Sequence, residues 1–178
     1  MQRQPGAEVT LRLVARDNWQ EALRLVVRPE QQRFVAGYAP IALLGLAKAY
    51  VRPGGVTWEP YAIYAAEAGE APDETRRESS GETMVGFVEL AYEPGSADEY
   101  WVFHFFIDAR FQRRGYARAA LSRLAELVAR EHPEAQALQL VVHPENVRAQ
   151  RLYTSAGFRP TGGERWGEPA YRLTLARM

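Results

Sequence analysis

The chain contains no cysteine. Disulfide staples, thiolate metal sites and a cysteine nucleophile are thereby excluded. Histidine is scarce as well: three occur in 178 residues, with no spacing that would gather ligands around a metal. Neither sign of charge is in excess. Lys plus Arg and Asp plus Glu each number 22, which speaks against a general nucleic-acid binder, since those are usually basic. No apolar run reaches the ~18 residues of a membrane span, and Met1–Glu8 is polar where a secretory signal would be apolar. The expectation is a soluble cytoplasmic protein with neither a nucleic-acid nor a membrane partner. Hydrophobic residues make up 47% of the chain. That suffices for one core, so a single domain over residues 1–178 is expected.

Periodicity divides the chain into short elements. Val9, Leu11 and Leu13 alternate with polar residues as in a strand. Asp17 suits a helix N-cap with Gln20 completing a capping box, and Trp19, Leu23 and Val26 then share a helical stripe. Pro29 starts a new turn. Pro40–Tyr50 reads as a helix with Ile41, Leu44 and Ala47 inward, broken at Arg52-Pro-Gly-Gly55. Tyr61–Ala65 and Met84–Tyr92 are strand candidates. Glu67–Glu82 between them carries six acidic and two basic residues; it suits a solvated hairpin loop, or an acidic lip that attracts cationic substrates.

Tyr100–Asp108 is apolar on both faces, as a covered central strand should be. Ala117, Ala120, Leu121, Leu124, Leu127 and Val128 recur at helical spacing until His132-Pro133. Leu138–His143 is a strand, and Glu145–Ala156 is a helix stopped by Gly157. Phe158–Thr161 and Tyr171–Ala176 are strands around a Gly-rich turn, Gly162–Gly167. The order β-α-α-β-β-β-α-β-α-β-β predicts a mixed sheet with helices on its faces and a central βαβ unit.

The segment running from Phe105 to Arg118 carries the chemistry. An apolar strand ends, a basic turn follows and a long helix begins. Helix N-termini leave amides unpaired and carry partial positive charge, which makes them phosphate sites. Gly115 and the small Ala117 let a phosphate approach the backbone. Arg110, Arg113, Arg114, Arg118 and Arg123 concentrate five cations where no acid falls between positions 109 and 125. The segment lacks the Gly-Lys-Ser/Thr ending of a P-loop and the G-x-G-x-x-G of a dinucleotide fold. Downstream, Asn146 stands at a helix start with Ala149, Leu152, Tyr153 and Ala156 on one stripe. Taken singly, Asn146 suits a plain N-cap and Tyr153 a core aromatic.

Together the two stretches resemble the GNAT superfamily of acetyltransferases. Its pyrophosphate loop, Gln/Arg-x-x-Gly-x-Gly/Ala, is matched by Gln112, Gly115 and Ala117. Its later motif is matched by Asn146, Ala149, Tyr153, Gly157 and Phe158. The likeness covers roughly residues 100–175. Shorter matches at Glu30-Gln31, Phe34-Val-Ala36, Pro60–Tyr64 and Val85–Val88 are similar to the diamine or spermine/spermidine N-acetyltransferase branch.

The resemblance implies a mixed α/β (α+β) fold: a mostly antiparallel central sheet with a splayed strand pair and helices on both faces. It implies acetyl-CoA as cosubstrate and a small-molecule amine as acceptor, with a polyamine such as spermidine or spermine foremost. Main-chain groups at Phe105 and Ile107 would pair with the pantetheine arm. Gln112 and the loop amides from Arg113 through Arg114, Gly115, Tyr116 and Ala117 to Arg118 would hold the pyrophosphate. Asn146 would bond the arm, and Tyr153 would protonate the leaving thiolate. Some polyamine acetyltransferases carry carboxylates where this strand has Phe103 and His104, so the general base does not transfer.

Glu89, Glu59, Glu99 and His104 are the base candidates. Glu30, Glu59 and Glu89, with the aromatics Tyr61, Tyr64 and Trp101, are candidates to frame a cationic amine. The alternative is a non-catalytic acyl-CoA sensor on the same fold. The aromatic C-terminal strands suggest a homodimer.

Overall fold

A computed structural model describes residues 7–35, 40–66 and 81–176. Seven strands form one sheet: β1 (Val9–Leu13), β2 (Thr57–Ala66), β3 (Glu82–Tyr92), β4 (Tyr100–Ile107), β5 (Ala137–Val141), β6 (Arg159–Arg165) and β7 (Glu168–Thr174). Their spatial order is β1-β2-β3-β4-β5-β7-β6. Every pairing is antiparallel except β4 with β5. Among the described residues four α-helices accompany them: α1 (Trp19–Ala22), α2 (Ile41–Val51), α3 (Tyr116–Glu131) and α4 (Val147–Ser155). The predicted element order and the mostly antiparallel mixed sheet are both observed.

Side-chain alternation along β2 shows that both faces are covered. Tyr61, Ile63 and Ala65 join a core with Leu121, Leu124 and Val128 of α3. Ala62 and Tyr64 join a second core with Ala22, Ile41 and Ala42 of α1 and α2. Helix α3 is amphipathic at a period of 3.6, and its buried set is Ala120, Leu121, Leu124, Leu127 and Val128, the stripe its sequence predicts.

Three local expectations fail. The Asp17 capping box does not form. Asn18 instead accepts from the Ala15 amide at 2.8 Å and donates to the Leu13 carbonyl at 3.2 Å, and the helix it leads into has only four residues. So short a turn carries no long stripe: Trp19 and Val26 are exposed while Ala22 and Leu25 are buried. In α2 the inward residues are Ile41, Ala42 and Gly45; Leu44 is half-buried and Ala47 is exposed. A Cβ on Gly45 would lie 2.7 Å from the Phe87 ring, so glycine is what seats α2 against β3. Finally, Gly162 and Gly163 lie inside β6, and the turn reduces to Trp166-Gly167, both at positive φ. Glu67–Glu82 joins two strands that pair directly, Ala66 opposite Glu82, but residues 67–80 lie outside the described residues.

The feature that positions the site is the seam between β4 and β5. They share a single registered pair, Trp101 with Gln139. β4 bulges against β3, where register jumps from Phe103 opposite Glu89 to Phe106 opposite Phe87. His104 takes up the extra length in a left-handed conformation at φ 46°, which is costly for a residue with a Cβ. Beyond the bulge β4 leaves β5, giving the splayed strand pair that the family likeness implies.

Candidate active site

A groove of about 530 Å³ opens at this seam. It cuts through the sheet, since Phe105, Tyr116 and Tyr153 on its wall belong to one core, and Phe106, Val27 and Val35 to the other. Phe105, Ile107, Gln112, Arg113, Gly115, Tyr116, Ala117, Arg118, Asn146 and Tyr153 all line it, although the sequence scatters them over 49 positions. Arg114 is absent from the wall; its guanidinium lies 5.7 Å from the Phe111 ring centre.

At one end is the start of α3. Arg113 (φ 66°) and Gly115 (φ 85°) are left-handed and curl the loop tightly. The first bond from the helix back to its cap runs from the Ala119 amide to the Gly115 carbonyl. Amides ahead of Ala119 thus have no intrahelical acceptor, and the first turn holds no acid. These properties suit an anion. The Gln112 side chain straps the loop down, donating to the Ile107 carbonyl at 3.0 Å and to Gln31 at 2.8 Å. Its Oε1 is buried without a partner.

The arginine cluster is smaller than its sequence suggests. Arg110 is taken up by the fully buried Asp108, with Nε donating at 2.8 Å and Nη2 at 3.2 Å. Asp108 also accepts from the amides of Arg110 and Val26. Although burial opposes it, these bonds hold the Asp108 carboxyl below the usual carboxylate range. Arg123 pairs with Glu126 at 3.0 Å. Arg113 and Arg118 remain on the groove. Sequence reasoning missed Arg148, which joins them there from α4 and was signalled only by its place two residues after Asn146. The 3₁₀ segment Pro29–Phe34 supplies a wall through Gln31 and Phe34.

At the other end α4 brings in Asn146 and Tyr153. Asn146 caps α4, its Oδ1 accepting from the Ala149 amide at 3.1 Å, so Nδ2 is the group left to face the groove. Tyr153 packs against Phe105 and Phe158, ring centres 6.4 and 5.9 Å away. Burial, reinforced by the Glu168 carboxylate, pushes its hydroxyl well above the ordinary tyrosine range. It therefore stays protonated and able to donate.

The base candidates separate cleanly. Glu59 lies on the α3 face, where the Tyr61 and Tyr92 hydroxyls donate to it at 2.7 and 3.0 Å. Glu99 accepts from the Trp101 indole at 2.8 Å and lies 3.5 Å from Arg165. Only Glu89 and His104 meet at the bulge, Oε2 to Nε2 at 3.5 Å. Glu89 has no exposed surface, and neither oxygen has a hydrogen-bond partner. Its burial, offset in part by Lys48, raises its carboxyl from 4.5 to about 8. Burial, then Lys48, lowers His104 to about 4, so its ring is neutral. Lys48 Nζ stands 2.9 Å from His104 Nε2 and 4.4 and 5.0 Å from the Trp58 and Phe103 ring centres.

The amine-framing residues do not converge. Glu30 lines the groove, Glu59 and Tyr61 sit on the α3 face, and Glu89 lies under α2. Tyr64 is covered by Arg12 at 4.6 Å from its ring centre. Of that set Trp101 alone joins the aromatic row next to the bulge, where Trp58, Phe103, Trp166 and Trp101 lie 4.9–5.2 Å apart in sequence.

A strand splayed from its parallel neighbour, and a helix N-terminus facing an Asn-capped helix across the gap, define a class of acyl-transfer protein. The chain belongs to the acetyltransferase (GNAT) family, whose model matches residues 47–158. L-2,4-diaminobutyric acid acetyltransferase of Streptomyces coelicolor is 35% identical over 71 residues, 40% of this chain and 41% of that protein. The match thus spans about two fifths of that relative's length. Spermidine N-acetyltransferase from Vibrio cholerae, solved with CoA and spermine, has a TM-score of 0.65 at 17% identity over 96% of this chain and 97% of that one. Aminoglycoside acetyltransferase AAC(6')-Ib, solved with coenzyme A and kanamycin, gives 0.66 at 20% over 96% and 95%. At these identities the two structures speak for the fold. Among the described residues no helix is long and apolar enough to cross a membrane, and no group of His, Asp and Glu is placed to hold a metal.

Proposed function

We propose that this protein transfers the acetyl group of acetyl-CoA to the primary amine of a small molecule. The observation that carries this is the convergence of the α3 amides, Asn146 and Tyr153 on one groove at the open seam. The residues fit the cosubstrate: the α3 amides with Arg113, Arg118 and Arg148 hold the diphosphate, while Asn146 and the free edge of β4 at Phe105 and Ile107 align the pantetheine arm. An amine of pKa ~10 must lose a proton before it attacks. The neutral His104 ring, at the bulge, takes that proton. Amides on the β4 edge beyond its single pair with β5 polarise the thioester carbonyl. When the C–S bond breaks, Tyr153 protonates the departing thiolate.

Among the described residues the acceptor side presents the buried Glu89, an aromatic row with Glu99 held by Trp101 and Arg165, and the cation Lys48. A long polycation such as spermine would need several carboxylates along it, so a compact amine suits this surface better than the polyamine the branch likeness suggests. The test is free-thiol release from acetyl-CoA across a panel of diamines, diamino acids, polyamines and aminoglycosides. Saturable release with a compact amine is expected. CoA binding without release for any amine would leave the non-catalytic sensor as the function.

A further inference from the structure

Twenty-two residues of the chain are Lys or Arg, and one alone, Lys48, is lysine. Guanidinium groups stay protonated and do not act as nucleophiles. Lys48 therefore carries the only side-chain amine in the protein. It stands at the bulge next to the groove's β4 wall: 2.9 Å from His104 Nε2, over the paired Trp58 and Phe103 rings, and electrostatically coupled to the buried Glu89 carboxyl, which has no hydrogen-bond partner.

We propose that Lys48 is itself an acetylation site, modified in cis from acetyl-CoA bound in the groove; this rests on the acetyl-transfer reading above. Lys48 is held there by the fold. Gly45, one turn earlier on the same helix face, lets α2 approach to contact distance of Phe87 and Glu89. That approach lowers the amine into the cage. His104 links the cage to the groove through the chain: its ring touches Lys48, and the next residue, Phe105, is groove wall. Burial lowers the Lys48 ammonium below its usual range, opposed by the Glu89 charge, which raises the fraction present as free amine.

The step balances as a simple acyl transfer. Neutral Lys48 Nζ attacks the thioester carbonyl carbon, the C–N bond forms and the C–S bond breaks. The proton shed by nitrogen passes to the neutral His104 Nε2, 2.9 Å away. Tyr153 gives its proton to the thiolate. The products are a neutral acetamide on Lys48 and free coenzyme A.

The 178-residue chain is incubated with acetyl-CoA and no amine, native and urea-unfolded in parallel, and acetyl groups are located by peptide mass spectrometry. The chain's N-terminal amine serves as the internal control for spontaneous thioester chemistry. The expected result is one acetyl group per chain on Lys48 in the native sample, formed about 100-fold faster than in the unfolded one. Tyr153→Phe should slow that labelling by a similar factor, and Lys48→Arg should abolish it. Unmodified Lys48 in a native sample that still releases thiol when an amine is supplied would overturn this inference and leave the enzyme assignment intact. Equal labelling of Lys48 in native and unfolded chains would overturn it too, and silence in both assays would remove the enzyme assignment with it.

Discussion

Glu89→Gln should change how stability responds to pH while leaving the fold in place. The side chains are near-isosteric, and the site has no exposed surface. Burial raises the Glu89 carboxyl from 4.5 to about 8 in the folded chain. A raised carboxyl binds more protons folded than unfolded, so its contribution is full below pH 4.5 and is lost as pH climbs through about 8. His104 works the other way. Lowered from 6.5 to about 4, it contributes fully above pH 6.5 and loses that as pH falls. Between pH 4.5 and 6.5 the two slopes cancel. From pH 6.5 to about 8 Glu89 acts alone, and at ~1.36 kcal/mol per pH unit the loss over that window is ~2 kcal/mol. The Glu89→Gln chain lacks this decline. Lys48, lowered by burial and opposed in this by the Glu89 charge, acts with the opposite sign on the way to 10.5, and Glu89→Gln strengthens that opposite slope by removing the charge. Urea unfolding followed by tryptophan fluorescence at pH 6.5, 7.2 and 8 measures the difference. Parallel profiles for the two chains would refute the buried-carboxyl account.

Tyr153→Phe should lower kcat by about 10²-fold or more with little change in CoA affinity, read by single-turnover thiol release and calorimetry. Asn146→Ala removes the α4 cap and should cost ~1 kcal/mol in urea unfolding while also weakening CoA binding; Asn146→Asp should restore the cap but not the donor. A Cβ on Gly86 would lie 2.6 Å from the Phe106 carbonyl, so Gly86→Ala must displace β4 just past the bulge. It should destabilise by ~1–3 kcal/mol and raise the KM for acetyl-CoA.

The groove was legible because its parts are local. A strand end, a glycine turn and an amphipathic helix are read from contiguous residues, and so is Asn146 with Tyr153 one stripe further on. The chemistry at the bulge was legible only as a pool of candidates. Glu89 meets His104 because one extra residue in β4 shifts the register, and a shift of one changes which face every side chain takes. Lys48 arrives through the close approach at Gly45, which periodicity does not encode. Glu59 was placed with Glu89 although strand parity sets Glu59 and Tyr61 opposite Trp58; that signal was present in the alternation of β2. Arg110 looked like part of a phosphate cluster because its partner, Asp108, is a buried acid two residues away whose burial only the fold reveals.

The sheet is really two panels, β1–β4 and β5-β7-β6, joined along their length by one rung at Trp101 and Gln139. A ligand lying along the free margin of β4 would supply rungs that the polypeptide omits. Occupancy and cooperativity then become one quantity. Without such a guest, amide exchange should be fastest on the margins that face the gap, and the two panels should loosen from each other before either melts. Saturation should merge them into a single unfolding unit, raising the midpoint by an amount set by guest concentration over its dissociation constant.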